Sequence, residues 1–145
     1  MRLNLNCIVI AVALAFYASP TLAQEQDKAE DKTVAVDPGE GLFNKRCAIC
    51  HSLAEGKNGN GPSLFRIIGR KAAVLPGFKY SRALRQTAAE EALAWSEKNL
   101  AIFLTRPSRL VPGTRMAFPG VKKKEDIATL VAWIKANSGP PSGDP

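Results

Sequence analysis

The chain has 145 residues, three Cys, a single His, and 20 Lys and Arg against 13 Asp and Glu, for a net charge of +7. That length allows one small domain with a modest core plus appendages, and excludes a large multidomain machine. One histidine and three cysteines also leave little for metal sites that need several imidazoles or four thiolates.

Residues 1–23 read as a secretory signal, cleaved on export. Arg2 gives a positive start, Ile8 to Ala18 is an unbroken apolar run, and Thr21-Leu22-Ala23 ends in the small residues that signal peptidase accepts. The alternative is a retained anchor, but the eleven apolar residues fall short of the ~20 that span hydrocarbon. No stable membrane insertion is therefore expected. Cys7 precedes the apolar run and leaves with the signal. Residues 24–36 are polar and charged and read as a flexible acidic leader. Gln24 to Glu40 sums to −4, whereas Gly41 to Pro145 carries seventeen Lys and Arg against seven acids, or +10. A basic body points to acidic partners, with nucleic acid as the bland alternative.

The domain is expected over residues 37–137. Asp37-Pro38-Gly39-Glu40 offers an N-cap acid, a proline at the first helical position and a glutamate three residues after the cap, which predicts a helix start. That helix leads into Cys47-Ala48-Ile49-Cys50-His51. A C-x-x-C-H run reads as covalent c-type haem attachment, with the two thiols on the porphyrin vinyl groups and the imidazole on one axial position of iron. Structural zinc lacks enough ligands, a thioredoxin-like dithiol lacks its βαβ surroundings, and a plain disulfide leaves His51 without a role. A sixth iron ligand must come from elsewhere, and Met116 is the sole methionine after Met1.

Ser52 to Leu75 is Gly-rich without a sustained period and reads as a loop wrapped round the cofactor. Leu100, Phe103 and Leu104 follow Ser96 at helical spacing and stop before Pro107, which predicts a short helix over Glu97 to Arg106. Leu110 to Pro119, broken by Pro112, Gly113 and Pro119, reads as a loop presenting Met116. Ile127, Leu130, Val131 and Ile134 define a last helix, with Glu125 and Asp126 at its start and Ser138-Gly139-Pro140-Pro141 at its end. Residues 138–145 are expected to be a loose tail. Neither an internal repeat nor a strand is evident, so the expected fold is all-α, with three to five short helices and long loops.

From about Pro38 to Ala136 the chain resembles class I cytochrome c, in particular the mitochondrial-like bacterial cytochrome c2 type. Besides the attachment motif, the resemblance rests on Gly61-Pro62-Ser63-Leu64, Gly69-Arg70-Lys71, Pro76-Gly77-Phe78-Lys79-Tyr80-Ser81, Trp95, Val111-Pro112-Gly113-Thr114-Arg115-Met116 and Gly120-Val121-Lys122-Lys123-Lys124, in family order. It implies the cytochrome c fold around one haem c bound to Cys47 and Cys50, with His51 and Met116 as axial ligands. It also implies that the Pro62 carbonyl accepts the second ring N–H of His51, that Arg70, Tyr80 and Trp95 hold the propionates, and that Thr114 belongs to the cofactor-binding set. Gly39, Phe43, Leu130 and Trp133 resemble the contact between first and last helices.

Two departures stand out. Phe103 replaces a tyrosine whose hydroxyl often reaches the methionine sulfur, and about four extra residues between Tyr80 and Trp95 predict a longer loop over Arg82 to Ala94. With both axial positions filled, the expected function is outer-sphere one-electron transfer in a periplasm, by a monomer without substrate turnover of its own. Lys45, Arg46, Arg109, Arg115, Lys122, Lys123 and Lys124 are the expected docking residues for acidic redox partners: a bc1 complex, terminal oxidase, reaction centre, reductase or dehydrogenase. The alternative is the haem subunit of a periplasmic dehydrogenase or a peroxidase-like enzyme.

Overall fold

The computed structural model describes residues 36–142. The expected signal, residues 24–35 of the leader and residues 143–145 lie outside the described residues. Within them are five helices: α1 Pro38–Arg46, α2 Arg82–Glu90, α3 Glu97–Thr105, α4 Pro107–Leu110 and α5 Lys124–Asn137. The longest stretch without a helix runs from Cys47 to Ser81, as expected of a chain that folds round a cofactor.

Each of the first three helices starts on a side-chain cap. Asp37 Oδ1 accepts from Gly39 N at 2.7 Å, Ser81 Oγ from Leu84 N at 3.0 Å and Ser96 Oγ from Asn99 N at 3.1 Å. Such caps satisfy amides that the helix itself leaves unpaired, each worth about 1 kcal/mol. Pro38 and Pro107 open α1 and α4, where the missing N–H costs nothing. Lys71 and Ala94 form an isolated antiparallel bridge, and no strand is present among the described residues.

α1 packs on α5, and α3 packs on both α4 and α5. The inward stripe of α5 is Ile127, Leu130, Val131 and Ile134, as its spacing predicts. Leu130 and Ile134 are at most 1% exposed. At the α1–α5 crossing, Gly39 lies so close to Trp133 that a Cβ there would stand 2.7 Å from Trp133 Cγ. The Phe43 and Trp133 rings sit 5.0 Å apart, tilted by 37°. The four residues expected to join the first and last helices thus lie on the elements that meet.

Two expectations are corrected. The segment Arg82 to Ala94 is not simply a longer loop, because Arg82 to Glu90 forms α2. Its inward face is Ala83, Leu84, Thr87 and Ala88, small or polar apart from Leu84 and so too weak a stripe to announce a helix, but Ser81 caps it and most of its residues favour helix. The tail is not loose up to Ser142. The Ser138 carbonyl accepts from Arg66 N, Ser142 N donates to Ile68 O at 2.9 Å, and the Arg66 guanidinium reaches the Pro140 and Pro141 carbonyls at 3.2 Å each. Proline carbonyls remain good acceptors, so a Pro-rich tail can still be fastened.

Replacing Gly39 by Val drives two methyl groups into Trp133. The expected cost is about 1–3 kcal/mol, the usual range for overpacking. Thermal unfolding of the holoprotein checks this, and an unchanged midpoint contradicts the α1–α5 account.

Candidate functional site

The C-terminal end of α1 runs directly into the Cys47–His51 segment. Cys50 N and His51 N both donate to Cys47 O, at 3.0 and 2.9 Å, so the motif winds into a turn. This turn buries Cys47, half-buries Cys50 and His51, and turns Ile49 outward at 83% exposure. The two thiols are not joined to each other. Burial pushes the Cys47 thiol up to about 11, with Arg46 opposing and Cys50 adding to the effect. An uncharged sulfur, thiol or thioether, suits that position better than a thiolate.

His51 is held from the loop that follows. Its Nδ1 lies 2.8 Å from the Pro62 carbonyl oxygen. A carbonyl only accepts, so Nδ1 carries the proton and donates, leaving Nε2 as a free lone pair. Burial lowers the histidine pKa, with the Pro62 bond opposing that shift. The imidazole is thereby kept neutral, the form that binds metal.

Pro62 is itself positioned by its neighbours. Asn58 Oδ1 accepts from Ser63 N at 2.9 Å, the buried Ser63 hydroxyl donates to Ala54 O at 2.6 Å, and Phe65 N donates to Ser63 Oγ at 3.1 Å. Gly61 lies against the His51 ring, where a Cβ would stand 2.6 Å from Nδ1 and 2.7 Å from Nε2. Asn58 and Ser63 were not among the expected site residues. Their one sequence signal is the Asn-Gly-Asn-Gly-Pro-Ser run, which reads as turn without revealing which groups bond.

Arg70, Tyr80 and Trp95 come together. The bridge at Lys71 and Ala94 brings Trp95 N to 2.9 Å from Arg70 O, and the Arg70 guanidinium lowers the Tyr80 pKa against the larger upward push of burial. Arg70 is also pinned, donating from Nη1 to Phe65 O at 2.7 Å and from Nη2 to Ser63 O at 2.9 Å. Trp95 stacks edge-on against Phe103 at 5.0 Å. Phe103 therefore has a packing role that needs no hydroxyl.

Met116 packs, half-buried, against the same core cluster that contains Cys47, Trp95 and Phe103. Its amide donates to Thr114 Oγ1 at 3.2 Å, and Thr114 N donates to Val111 O at 3.1 Å, closing a turn through Gly113 at φ +78°. Only glycine adopts that φ without strain. The expected docking cations, Lys45, Arg46, Arg109, Arg115 and Lys122 to Lys124, are all exposed.

The donor set fits a haem of the c type. Two thiols, one neutral imidazole with a single free nitrogen and one thioether are the donors that such a group requires, and Cys47 and Met116 both pack in or against the same core cluster. Among the described residues no group of three or more His, Cys, Asp or Glu is placed to hold a bare metal ion.

A family model described as Cytochrome c matches residues 36–138. The chain belongs to the cytochrome c family. It is 39% identical over 97 residues to a cytochrome c of Euglena viridis, a match covering 67% of this chain and 91% of that protein. It is 42% identical over 100 residues to a cytochrome c2 of Agrobacterium tumefaciens (strain II Chrys), covering 68% of this chain and 88% of the relative. A cytochrome c2 of Afifella marina is 45% identical over 92 residues, 63% of this chain and 73% of that one. These matches make the chain a class I cytochrome c of the c2 type, with the all-α fold and one covalently bound haem c of that family. It is an electron carrier and not an enzyme.

In this cytochrome, Gly61→Ala is expected to push the His51 ring off its bond to Pro62. The optical and EPR spectra of the holoprotein should gain a high-spin component, and spectra identical to wild type contradict the positioning role of Gly61.

Proposed function

We propose that the chain is an exported, periplasmic shuttle that moves single electrons through a haem whose axial ligands are His51 and Met116. Cys47 and Cys50 form the thioethers, while Arg70, Tyr80, Trp95 and Thr114 hold the cofactor's polar edge and the loop beside it. When bound, the haem supplies reversible exchange of one electron at iron. The observation that supports this reading is the His51 Nδ1 bond to the Pro62 carbonyl at 2.8 Å, which leaves the other ring nitrogen with a lone pair suited to a metal.

The protein's own work follows from these side chains. Pro62 fixes the ring orientation of His51 and strengthens it as a donor. The thioether of Met116 is soft and favours the reduced iron, which raises the potential. Phe103 offers no hydroxyl to the sulfur, so that tuning bond is missing. With His51 and Met116 both holding the iron, a substrate would find no open ligand position, and the chain has no second histidine to serve as the acid-base group of a peroxidase.

The exposed Lys45, Arg46, Arg109, Arg115, Lys122, Lys123 and Lys124 form the docking set for acidic partners such as a bc1 complex, terminal oxidase, reaction centre, reductase or dehydrogenase. Ile49, exposed in the attachment turn that follows Lys45 and Arg46 in the chain, supplies an apolar contact for such a partner. Such redox interfaces are small, under ~1,200 Å², and exchange quickly. The carrier acts as a monomer and has no role with nucleic acid. Among the described residues no helix is long and apolar enough to cross a membrane.

Changing Lys122 and Lys123 together to Gln should slow electron exchange with an acidic partner by a factor of roughly two to ten at low ionic strength. The difference should close as salt shortens the reach of the field. Stopped-flow rates across a salt series check this, and an unchanged low-salt rate contradicts the docking assignment.

A further inference from the structure

Arg66 is exposed, yet its backbone sits in the left-handed region at φ +51°. A residue with a Cβ adopts that conformation only where its surroundings impose it. Here the surroundings are the tail that follows α5. Arg66 N donates to the Ser138 carbonyl, Arg66 O accepts from Ser142 Oγ at 2.5 Å, and the guanidinium donates from Nε to Pro140 O and from Nη2 to Pro141 O, each at 3.2 Å. Both backbone groups and the side chain of this one residue are thus engaged by residues 138–142. A planar guanidinium can hold two carbonyls at once in one fixed geometry, which an ammonium on a flexible stem does less well.

The tail also lies tightly against the residues on either side of Arg66. A Cβ on Gly139 would stand 2.9 Å from Phe65 Cε2, and one on Gly69 would stand 2.8 Å from the Ser142 carbonyl oxygen. Ser142 N completes the strap by donating to Ile68 O at 2.9 Å.

The strapped segment leads straight back to the bond that orients His51. Ile67 N donates to Leu64 O at 3.1 Å, Phe65 N donates to the Ser63 hydroxyl at 3.1 Å, and Arg70 spans Ser63 O and Phe65 O. Ser63 is fully buried, and its amide nitrogen belongs to the same planar peptide unit as the Pro62 carbonyl. Whatever fixes Ser63 therefore fixes the direction in which that carbonyl faces the imidazole. Arg66 stands four residues after Pro62, with only this bonded turn between them.

We propose that Arg66 is a positioning residue for His51: fastened to the tail, it holds the turn from Ser63 to Ile68 and, through Ser63, the Pro62 carbonyl that orients the imidazole. The proposal rests on the reading of His51 as an axial ligand. Arg66 acts through the backbone, so the end of the chain reaches the histidine side of the iron without placing a side chain there.

Proton NMR of the ferrous holoprotein in D2O tests this, by comparing exchange of the His51 Nδ1 proton with exchange of the Leu130 amide in α5. The Leu130 amide follows global opening, whereas the ring proton also follows local opening of the Pro62 bond. Arg66→Ala is expected to speed exchange of the ring proton about tenfold or more beyond any change at Leu130. Arg66→Lys, which keeps one donor for the tail carbonyls, is expected to restore part of the protection. Ser138→Ala, which leaves the Ser138 carbonyl in place, is expected to keep both rates within about twofold of wild type. An unchanged ring-proton rate in Arg66→Ala overturns the proposal, and so does equal acceleration at both protons, which would make Arg66 a contributor to overall stability alone. Wild-type His51 ring protons without the large upfield shifts of an imidazole held over a haem would overturn the axial assignment and the proposal with it, a failure distinct from those seen in the variants.

Discussion

The hydrogen bond from His51 Nδ1 to the Pro62 carbonyl is the constraint on which the rest of the site depends. It chooses the tautomer, orients the ring and leaves one nitrogen with a free lone pair. The bond spans eleven residues, so it exists only if the intervening loop folds in one way. That loop is held by the Ser63 amide donating to the Asn58 side-chain oxygen and the Ser63 hydroxyl donating to the Ala54 carbonyl, and it admits the ring only because residue 61 has no side chain. Arg70 then ties the loop's end, reaching back to Ser63 and Phe65. A helix-free segment, exposed over residues 54–60 and buried at Gly61 and Ser63, is stable here because its polar groups find partners within it.

Around this loop the helices act as a frame. The α1–α5 crossing, with Gly39 under Trp133 and Phe43 beside it, carries the attachment motif at the end of α1 and sets where Cys47 enters the core. The tail that follows α5 returns to residues 66–68 through Ser138, Pro140, Pro141 and Ser142. One long helix thus clamps both the start of the haem segment and the loop behind it. Rigidity of this kind suits a carrier, since a centre whose ligands barely move between oxidation states exchanges electrons with little rearrangement.

Much of this was legible from residue pattern. The attachment motif, the capped start at Asp37, the stripe of α5 and the short α3 are local signals, and each predicted element is present. Three features were not legible in that way. α2 hides because Ala83, Leu84, Thr87 and Ala88 make a poor apolar stripe, and its existence rests on a cap and on propensity. α4 hides because Pro107 reads as the stop of α3 and is also the start of a single further turn. The fastened tail hides because a Gly-Pro-Pro run looks loose until a partner for its carbonyls, here Arg66, is in view. The pairing of His51 with Pro62 came from family resemblance, since no periodicity links a ring nitrogen to a carbonyl so far along the chain. Bonds of that sort are set by tertiary folding.

The central claim is that one nitrogen from His51 and one sulfur from Met116 close the iron to exogenous ligands. X-ray absorption fine structure at the iron edge of the ferric holoprotein addresses this directly, because sulfur and nitrogen scatter differently. The account predicts a shell of five nitrogens with one sulfur, and the sulfur component should vanish in Met116→His. A wild-type spectrum that requires six nitrogen or oxygen neighbours, or only five neighbours in all, would contradict it.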